Sequence, residues 1–428
     1  LPQVEADRRA ANPANVRFAA GESVEQGRVG AVLEKKWSRE RELRLRAYSS
    51  WRDFENKLAF QNGGQVAFQR WFAGTGGQYS QTLNRWRFST GFDLDRQADR
   101  RQRHDNLDGQ RGALSLDQQE TYTGMGVYAL AEWRPASAWT ISGGARADAV
   151  RLEVTDYFDA DGVQSGRSTY HRGSPWGGVA VRIRPRLSGY ANVTTNFETP
   201  TLIELSNNPA GTGGFNADLK PQRTLSAEVG LRSQWPAGLV WEAALFRART
   251  QDELVPYEQQ NMPGRVFYRN SGEALRQGVE LALRYSPFRS LNLGLTYTHA
   301  DFRYAKYETA AGDFSQNLLP GLPQQWGLLE ARYTHATGFF AHLQTRYTGR
   351  FFAEDANAVP IAAFALVNAR IGYKHRLALG EVEVFLGTDN ATATRYSNNI
   401  RLNASAGRYY EPGAGRVFFA GVEVRVGK

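Results

Sequence analysis

Six histidines and no cysteine set the limits on what chemistry this chain can do. Without cysteine there are no disulfides, no thiolate metal sites and no cysteine nucleophile. His104, His171, His299, His335, His342 and His375 are scattered, and none pairs with another at the i, i+4 spacing that places two imidazoles on one metal. The chain has no G-x-S-x-G elbow and no G-x-x-x-x-G-K-[ST] loop, so neither acyl transfer nor phosphoryl transfer has a sequence basis. What the sequence offers instead is recognition chemistry. Tyr157, Tyr257, Tyr268, Arg269, Tyr304, Tyr307, Phe351, Arg401, Tyr409 and Tyr410 lie in or beside polar connecting segments. Aromatic rings there can stack on a planar ligand, and guanidinium groups can pair bidentately with carboxylates. The alternative for each is packing within a loop or a place in an interfacial girdle. The expectation is a binding surface with no catalytic residue, no protein-bound metal and no cofactor.

The elements that must position these side chains show a period of two. In Gly278–Tyr285, Val279, Leu281, Leu283 and Tyr285 face one way, and Glu280, Ala282 and Arg284 the other. At the end of the chain Phe418, Ala420, Val422, Val424 and Val426 alternate with Phe419, Gly421, Glu423 and Arg425. This is a strand with one oily and one wet side. Arg44, Arg46, Glu228, Arg232, Glu280, Arg284, Glu423 and Arg425 all fall opposite the apolar rows. A charge on a lipid-facing side near mid-membrane costs ~2–4 kcal/mol, so this sorting suits strands that cross a bilayer.

The alternation predicts about 17 strands, near 28–38, 41–60, 65–82, 85–97, 119–134, 137–155, 168–184, 187–199, 220–234, 238–254, 274–287, 290–307, 322–335, 338–352, 361–375, 379–398 and 415–427. Tight connections hold Ser38-Arg39-Glu40, Arg134-Pro135-Ala136, Arg184-Pro185-Arg186, Trp235-Pro236-Ala237-Gly238, Ser286-Pro287-Phe288 and Ala336-Thr337-Gly338. Between them lie long polar loops around 98–118, 156–167, 200–219, 255–273, 308–321 and 399–414. Short turns alternating with long loops are the pattern of a transmembrane antiparallel β-barrel. A soluble sandwich has strands nearer ~5–6 residues and does not sort its loops into two classes.

Composition agrees with this reading. No apolar run approaches the ~18 residues of a membrane-spanning helix, and the mean hydropathy is −0.52. A barrel strand needs only ~9–11 residues with every second one apolar. Aromatics at 12% fit interfacial girdles. The net charge of +9 comes from arginines spread over many strands, which argues against nucleic-acid binding. Residues 1–25 read as a polar surface loop. Counting back from a last strand that ends on the inner side, the first strand runs inward. The expectation is therefore 17 strands of a barrel of about 22, with upstream strands and an internal plug missing from 1–428.

Four stretches resemble the TonB-dependent receptor family of Gram-negative outer membranes. Asn196–Leu205 (NFETPTLIEL) is similar to that family's F-x-x-P-T-x-x-E-L strand end. Asn216–Pro221 with Ser226–Gly230 resembles its N-x-x-L-x-P and E-x-G segment. Asn270-Ser271-Gly272 leading into Gln277–Glu280 resembles N-x-G…G-x-E, and Leu319–Pro323 resembles its LPGVP loop. They occur in the family's order. Gly407–Pro412 with Gly415-Arg416, and Trp51–Lys57, resemble a subgroup that includes receptors for ferric complexes and for pyrroloquinoline quinone. The chain departs from the family at Asp389–Tyr396, which keeps only Asn390 and Tyr396 of a common motif. It departs again at Val426-Gly427-Lys428, where a terminal aromatic is usual.

The resemblance implies an outer-membrane receptor that binds a scarce, bulky ligand at its extracellular mouth. That ligand would be a ferric siderophore or similar iron chelate, or an organic cofactor, imported with TonB-coupled energy. Implied partners are the TonB complex, through the missing N-terminal part, outer-membrane lipid and lipopolysaccharide, and the barrel-assembly machinery. Two other readings stay open: a complete barrel of 16 or 18 strands acting as a passive diffusion porin, and a soluble β-rich binding module.

Overall fold

The computed structural model describes residues 12–206, 208–209, 215–216, 218–236, 238–259, 266–378 and 380–426. A single antiparallel sheet of seventeen strands dominates it. In chain order the strands are β1 (Gly21–Lys36), β2 (Arg41–Lys57), β3 (Gln65–Leu83), β4 (Trp86–Leu107), β5 (Gln110–Trp133) and β6 (Trp139–Asp156). Next come β7 (Gly166–Arg184), β8 (Leu187–Glu198), β9 (Gln222–Trp235), β10 (Leu239–Gln251), β11 (Glu273–Phe288) and β12 (Leu291–Lys306). The last are β13 (Gln325–Thr334), β14 (Phe339–Thr348), β15 (Phe364–Leu377), β16 (Gly380–Asp389) and β17 (Val417–Val426). Each pairs with its sequence neighbours in an up-and-down meander. Among the described residues β1 pairs only with β2 and β17 only with β16, so the sheet does not close on itself.

Register carries the oily faces from strand to strand. Leu231 pairs with Ala243, Ala243 with Leu281 and Leu281 with Tyr297. Val229, Leu231, Leu245, Leu281, Leu283 and Leu295 are all exposed, with no protein layer over them. A continuous uncovered apolar face is a lipid-facing surface. Near the short turns Trp86 stacks on Phe88 and on Trp133, at 5.6 and 5.4 Å between ring centroids, in the manner of an interfacial girdle. The opposite face is polar. Arg46 and Arg146 both bond Asp93 there, and Arg232 bonds Glu242.

Several expected boundaries are corrected. The segment 98–118 is not a long loop: β4 and β5 run through it and meet at a two-residue turn, Asp108-Gly109, with φ of 49° and 92°. Positive φ at both central residues is the hairpin geometry that Asp-Gly favours. Loops at that end of the sheet are therefore not uniformly long, and 58–64 is short as well. β1 begins at Gly21 inside the expected leading loop, preceded by a short helix α1 (Pro13–Arg17), while residues 1–11 lie outside the described residues. Strand β16 stops at Asp389 because Asn390 turns to φ 49°; the rest of the expected 379–398 strand is loop. Pro287 lies within β11 at a register irregularity, and Arg289-Ser290 makes the turn. The long loops are themselves built: Leu254–Glu258 pairs with Val266–Asn270, and Ser397–Ile400 pairs with Tyr410–Pro412.

Candidate functional site: the outer mouth

The loops at the end away from the short turns fold onto one another, beginning with the loop after β8. Thr201 and Glu204 form a capping box: the Thr201 amide donates to Glu204 Oε2 at 2.7 Å, and the Glu204 amide to Thr201 Oγ1 at 3.3 Å. The box starts helix α2 (Leu202–Ser206), whose Leu202 and Leu205 bury themselves against Val150, Leu152 and Val154 of β6. Leu219 joins that cluster, and the Asn216 amide bonds the Leu205 carbonyl at 2.7 Å. The stretch Pro200–Leu205, singled out in the sequence, is thus a loop anchor on the inner wall.

Asn270 links this loop to the next. Its side chain accepts from the Lys220 amide at 2.8 Å and donates to the carbonyls of Lys220 and Asp252 at 2.9 and 2.6 Å. Leu319 of the Leu-Pro-Gly stretch is buried with Val255, Ala274, Tyr304 and Tyr307. Gly321 turns at φ 76° and its amide bonds the Phe352 carbonyl at 2.7 Å. Asn357, at φ 56°, exchanges both side-chain bonds with the backbone of Leu318, at 2.8 and 2.9 Å.

At the centre lies Asp355, which is 3% exposed. Its carboxylate accepts from Tyr304 Oη at 2.7 Å, Tyr307 Oη at 3.1 Å and Asn403 Nδ2 at 3.2 Å, and faces Arg269 at 3.5 Å. Arg269 also donates Nε to Tyr307 Oη at 2.7 Å and lies 4.7 Å from the Tyr257 ring centroid. A second carboxylate, Glu258, takes Arg408 at 2.7 Å, Arg401 at 3.4 Å and the Ser405 hydroxyl at 3.0 Å. Burial pushes the Tyr307 phenol above its ordinary range, reinforced by the Asp355 carboxylate and opposed by Arg269. Burial also raises Tyr409, whose hydroxyl donates to Glu354 at 2.8 Å, and Tyr268.

Tyr257, Arg269, Tyr304 and Tyr307 therefore converge on Asp355. Phe351, Tyr409 and Tyr410 form a neighbouring cluster with Ala353, Ile361 and Ile400. Tyr268 packs against the α2 cluster. Tyr157 is not brought in: it is 55% exposed, with Arg100 4.1 Å over its ring. Tyr304 and Tyr307 are 1% exposed and Phe351 is 8% exposed, so a ligand reaches these rings only if the loops part. Sequence reasoning missed Asp355, Glu258 and Asn403, the residues that organise the cluster. The only sequence sign of Asp355 is the acidic pair Glu354-Asp355 between two apolar stretches of one loop. Among the described residues no group of three or more His, Cys, Asp or Glu side chains is placed to hold a metal ion.

A many-stranded meander with an uncovered oily face, a charged opposite face and interlocked loops at one end has the character of the wall of an outer-membrane β-barrel. The family model for TonB dependent receptor-like β-barrels matches residues 5–391, and the chain belongs to that family. These are transport receptors of Gram-negative outer membranes, not enzymes. The catecholate siderophore receptor Fiu of Escherichia coli K12 is 23% identical over 335 residues, covering 72% of this chain and 42% of the relative. The ferrioxamine receptor of Yersinia enterocolitica is 25% identical over 189 residues, covering 43% of this chain and 26% of the relative. The chain thus spans less than half the length of the curated relatives it matches. Among solved structures, the unliganded ferric citrate transporter FecA superposes with a TM-score of 0.77 at 16% identity, over 93% of this chain and 61% of FecA. The copper transporter OprC gives 0.74 at 16% identity, over 94% and 65%.

Proposed function

We propose that this chain supplies the barrel wall and extracellular mouth of a receptor that binds a scarce, bulky ligand and imports it with TonB-coupled energy. A ferric siderophore or similar iron chelate, or an organic cofactor, is the cargo. The observation that carries this reading is the mouth: loops from β8 to β17 fold into a packed surface in which Tyr257, Arg269, Arg401, Tyr409 and Tyr410 are partly exposed. Such a surface suits a planar or carboxylate-bearing chelate. The barrel's contribution is binding and orientation, with no covalent chemistry.

The test is growth of a deletion strain on a panel of ferric chelates and organic cofactors, each as the limiting nutrient, with and without a working TonB. Growth restored on one ligand, only by the full-length gene and only with TonB, supports the reading. Uptake indifferent to TonB, or steady open channels from the native full-length protein, would replace it with the porin. Dependence on an organic cofactor alone would remove iron from the proposal.

A further inference from the structure

The geometry points to a conformational device in the mouth. The loops after β12, β14 and β16 and the paired segments Leu254–Glu258 and Val266–Asn270 after β10 are held as one body by two buried carboxylates, Asp355 and Glu258, and they open and close together rather than one at a time. This concerns the loops alone and stands whatever the cargo is.

Asp355 ties its own loop to the three others. It lies in the loop after β14. Its carboxylate holds Arg269 from the loop after β10, Tyr304 and Tyr307 at the end of β12, and Asn403 from the loop after β16. Its backbone is engaged too: the amide donates to Asn403 Oδ1 at 3.0 Å, and the carbonyl accepts from Asn317 Nδ2 at 2.8 Å. Asn403 in turn donates to the Pro256 carbonyl at 2.9 Å. Glu258 repeats the tie between the first and last of these loops through Arg408, Arg401 and Ser405, with a side chain only 2% exposed.

A buried carboxylate is tolerated only with a full set of donors, and leaving one unpaired is costly. Withdrawing any one of the other three loops takes at least one donor from Asp355 and leaves that donor without its acceptor. Because the loops share one acceptor, releasing one weakens the hold on the rest and makes their release easier. The resulting behaviour is two-state. The tip of the β4–β5 hairpin is anchored elsewhere and serves as an internal control. Arg17 bonds Asp108 at 2.6 Å, and Asn106 Nδ2 bonds the carbonyls of Phe18 and Leu58 at 2.9 and 3.0 Å.

The experiment is amide hydrogen exchange on the full-length protein in outer-membrane vesicles, comparing the unaltered protein with Asp355→Asn. The expected result is exchange at least tenfold faster in peptides covering 254–258, 266–270, 303–319, 351–361 and 400–411. These peptides should share one common opening rate, and 105–111 should be unchanged. Faster exchange confined to 351–357, separate rates in the four loops, or no change overturns the inference. If Asp355→Asn does not insert, Tyr307→Phe removes one hydroxyl and leaves the carboxylate. A smaller rise shared by all four loops is then expected, and a rise confined to 303–319 counts against the device.

Discussion

The ring of Tyr190 lies across Gly230, its direct partner on the neighbouring strand, so closely that a methyl group on Gly230 would sit 2.5 Å from Tyr190 Cζ. The same pairing recurs on the polar face, with Phe246 against Gly278, Phe340 against Gly372 and Tyr48 against Gly74. A glycine opposite an aromatic lets the ring lie down on the wall instead of projecting from it, which also pins the register. Tyr190 Oη, held in this way, donates to Glu228 at 2.7 Å and reaches Glu242 at 3.2 Å. Gly230→Val is expected to destabilise the barrel by about 1–3 kcal/mol through overpacking. Gly173→Ala, where an added methyl meets nothing within 4 Å, is expected to stay within about 0.5 kcal/mol of the unaltered protein. Urea unfolding midpoints in detergent micelles distinguish the two, and equal effects would show that the ring is not wedged by Gly230.

The loop anchor on the inner wall gives a second prediction. Leu205 is 1% exposed and Leu152 is 2% exposed, and both belong to the same cluster. Leu205→Ala and Leu152→Ala are each expected to cost about 2–5 kcal/mol. The double variant should cost less than the sum, since the two truncations open one shared cavity. Thr201→Ala, which removes one half of the capping box, should cost about 1 kcal/mol. Strict additivity of the two leucine variants would mean that α2 does not rest on β6 in solution.

The sheet was legible in the sequence because each strand states its own faces: Val279, Leu281 and Leu283 alternate with Glu280, Ala282 and Arg284 without help from any other segment. The β4–β5 hairpin is hidden although its turn residues are in plain view, because Asp108-Gly109 sits among polar residues on both sides. Above the bilayer a strand no longer needs an oily face, so the period of two fades while the pairing continues. The mouth was half legible. Its rings are visible by residue type, and Tyr257, Tyr304 and Tyr307 do converge. The acids and amides that assemble them bond residues such as Asn403 and Pro256, 147 positions apart. No local pattern announces a partner at that distance. The motifs that signalled the family turned out to be loop anchors: Asn270 clamps Lys220, and Leu319 fills the space beside Tyr307.

Tyr307 and Tyr409 make the mouth sensitive to strong base. Both phenols are raised above their ordinary value, mainly by burial. A group whose value is raised on folding contributes stability that is present below its unfolded value, near pH ~10 for tyrosine, and lost as pH rises through the folded one. The loops should therefore stay assembled at pH ~10 and come apart only at higher pH. Phenolate absorbance followed during alkaline titration should show late-ionising tyrosines. Tyr307→Phe and Tyr409→Phe should each remove one of them. Full ionisation of every tyrosine around pH ~10 would contradict the packed mouth.

Exposure separates the candidate contact residues by what their loss should do. Tyr157 is 55% exposed, and its main neighbour is Arg100, 4.1 Å over the ring. Tyr157→Ala should leave the thermal midpoint almost unchanged, because an exposed pair of this kind is worth only ~0.5–1 kcal/mol. If Tyr157 touches ligand, affinity for the chelate or cofactor that supports growth should fall. Phe351→Ala should instead lower stability by about 3–5 kcal/mol, because the ring is buried against Ala353 and Ile361. Unchanged ligand affinity in Tyr157→Ala would remove Tyr157 from the binding surface.

The assignment of faces can be tested at two adjacent residues. Leu281 is 44% exposed on the oily side, in register with Ala243 and Tyr297. Ala282 is on the other side, directly opposite Glu242. Leu281→Arg places a guanidinium in hydrocarbon and should cost ~2–4 kcal/mol, cutting the fraction of chains that insert. Ala282→Arg places the same group in the polar interior beside a carboxylate and should insert normally. The readout is the heat-modifiable folded band of the full-length protein recovered from outer membranes. The outcome to watch for is the reverse order, or no difference. Either would mean that the row from Leu231 through Leu281 does not face lipid, and the barrel reading would fall with it.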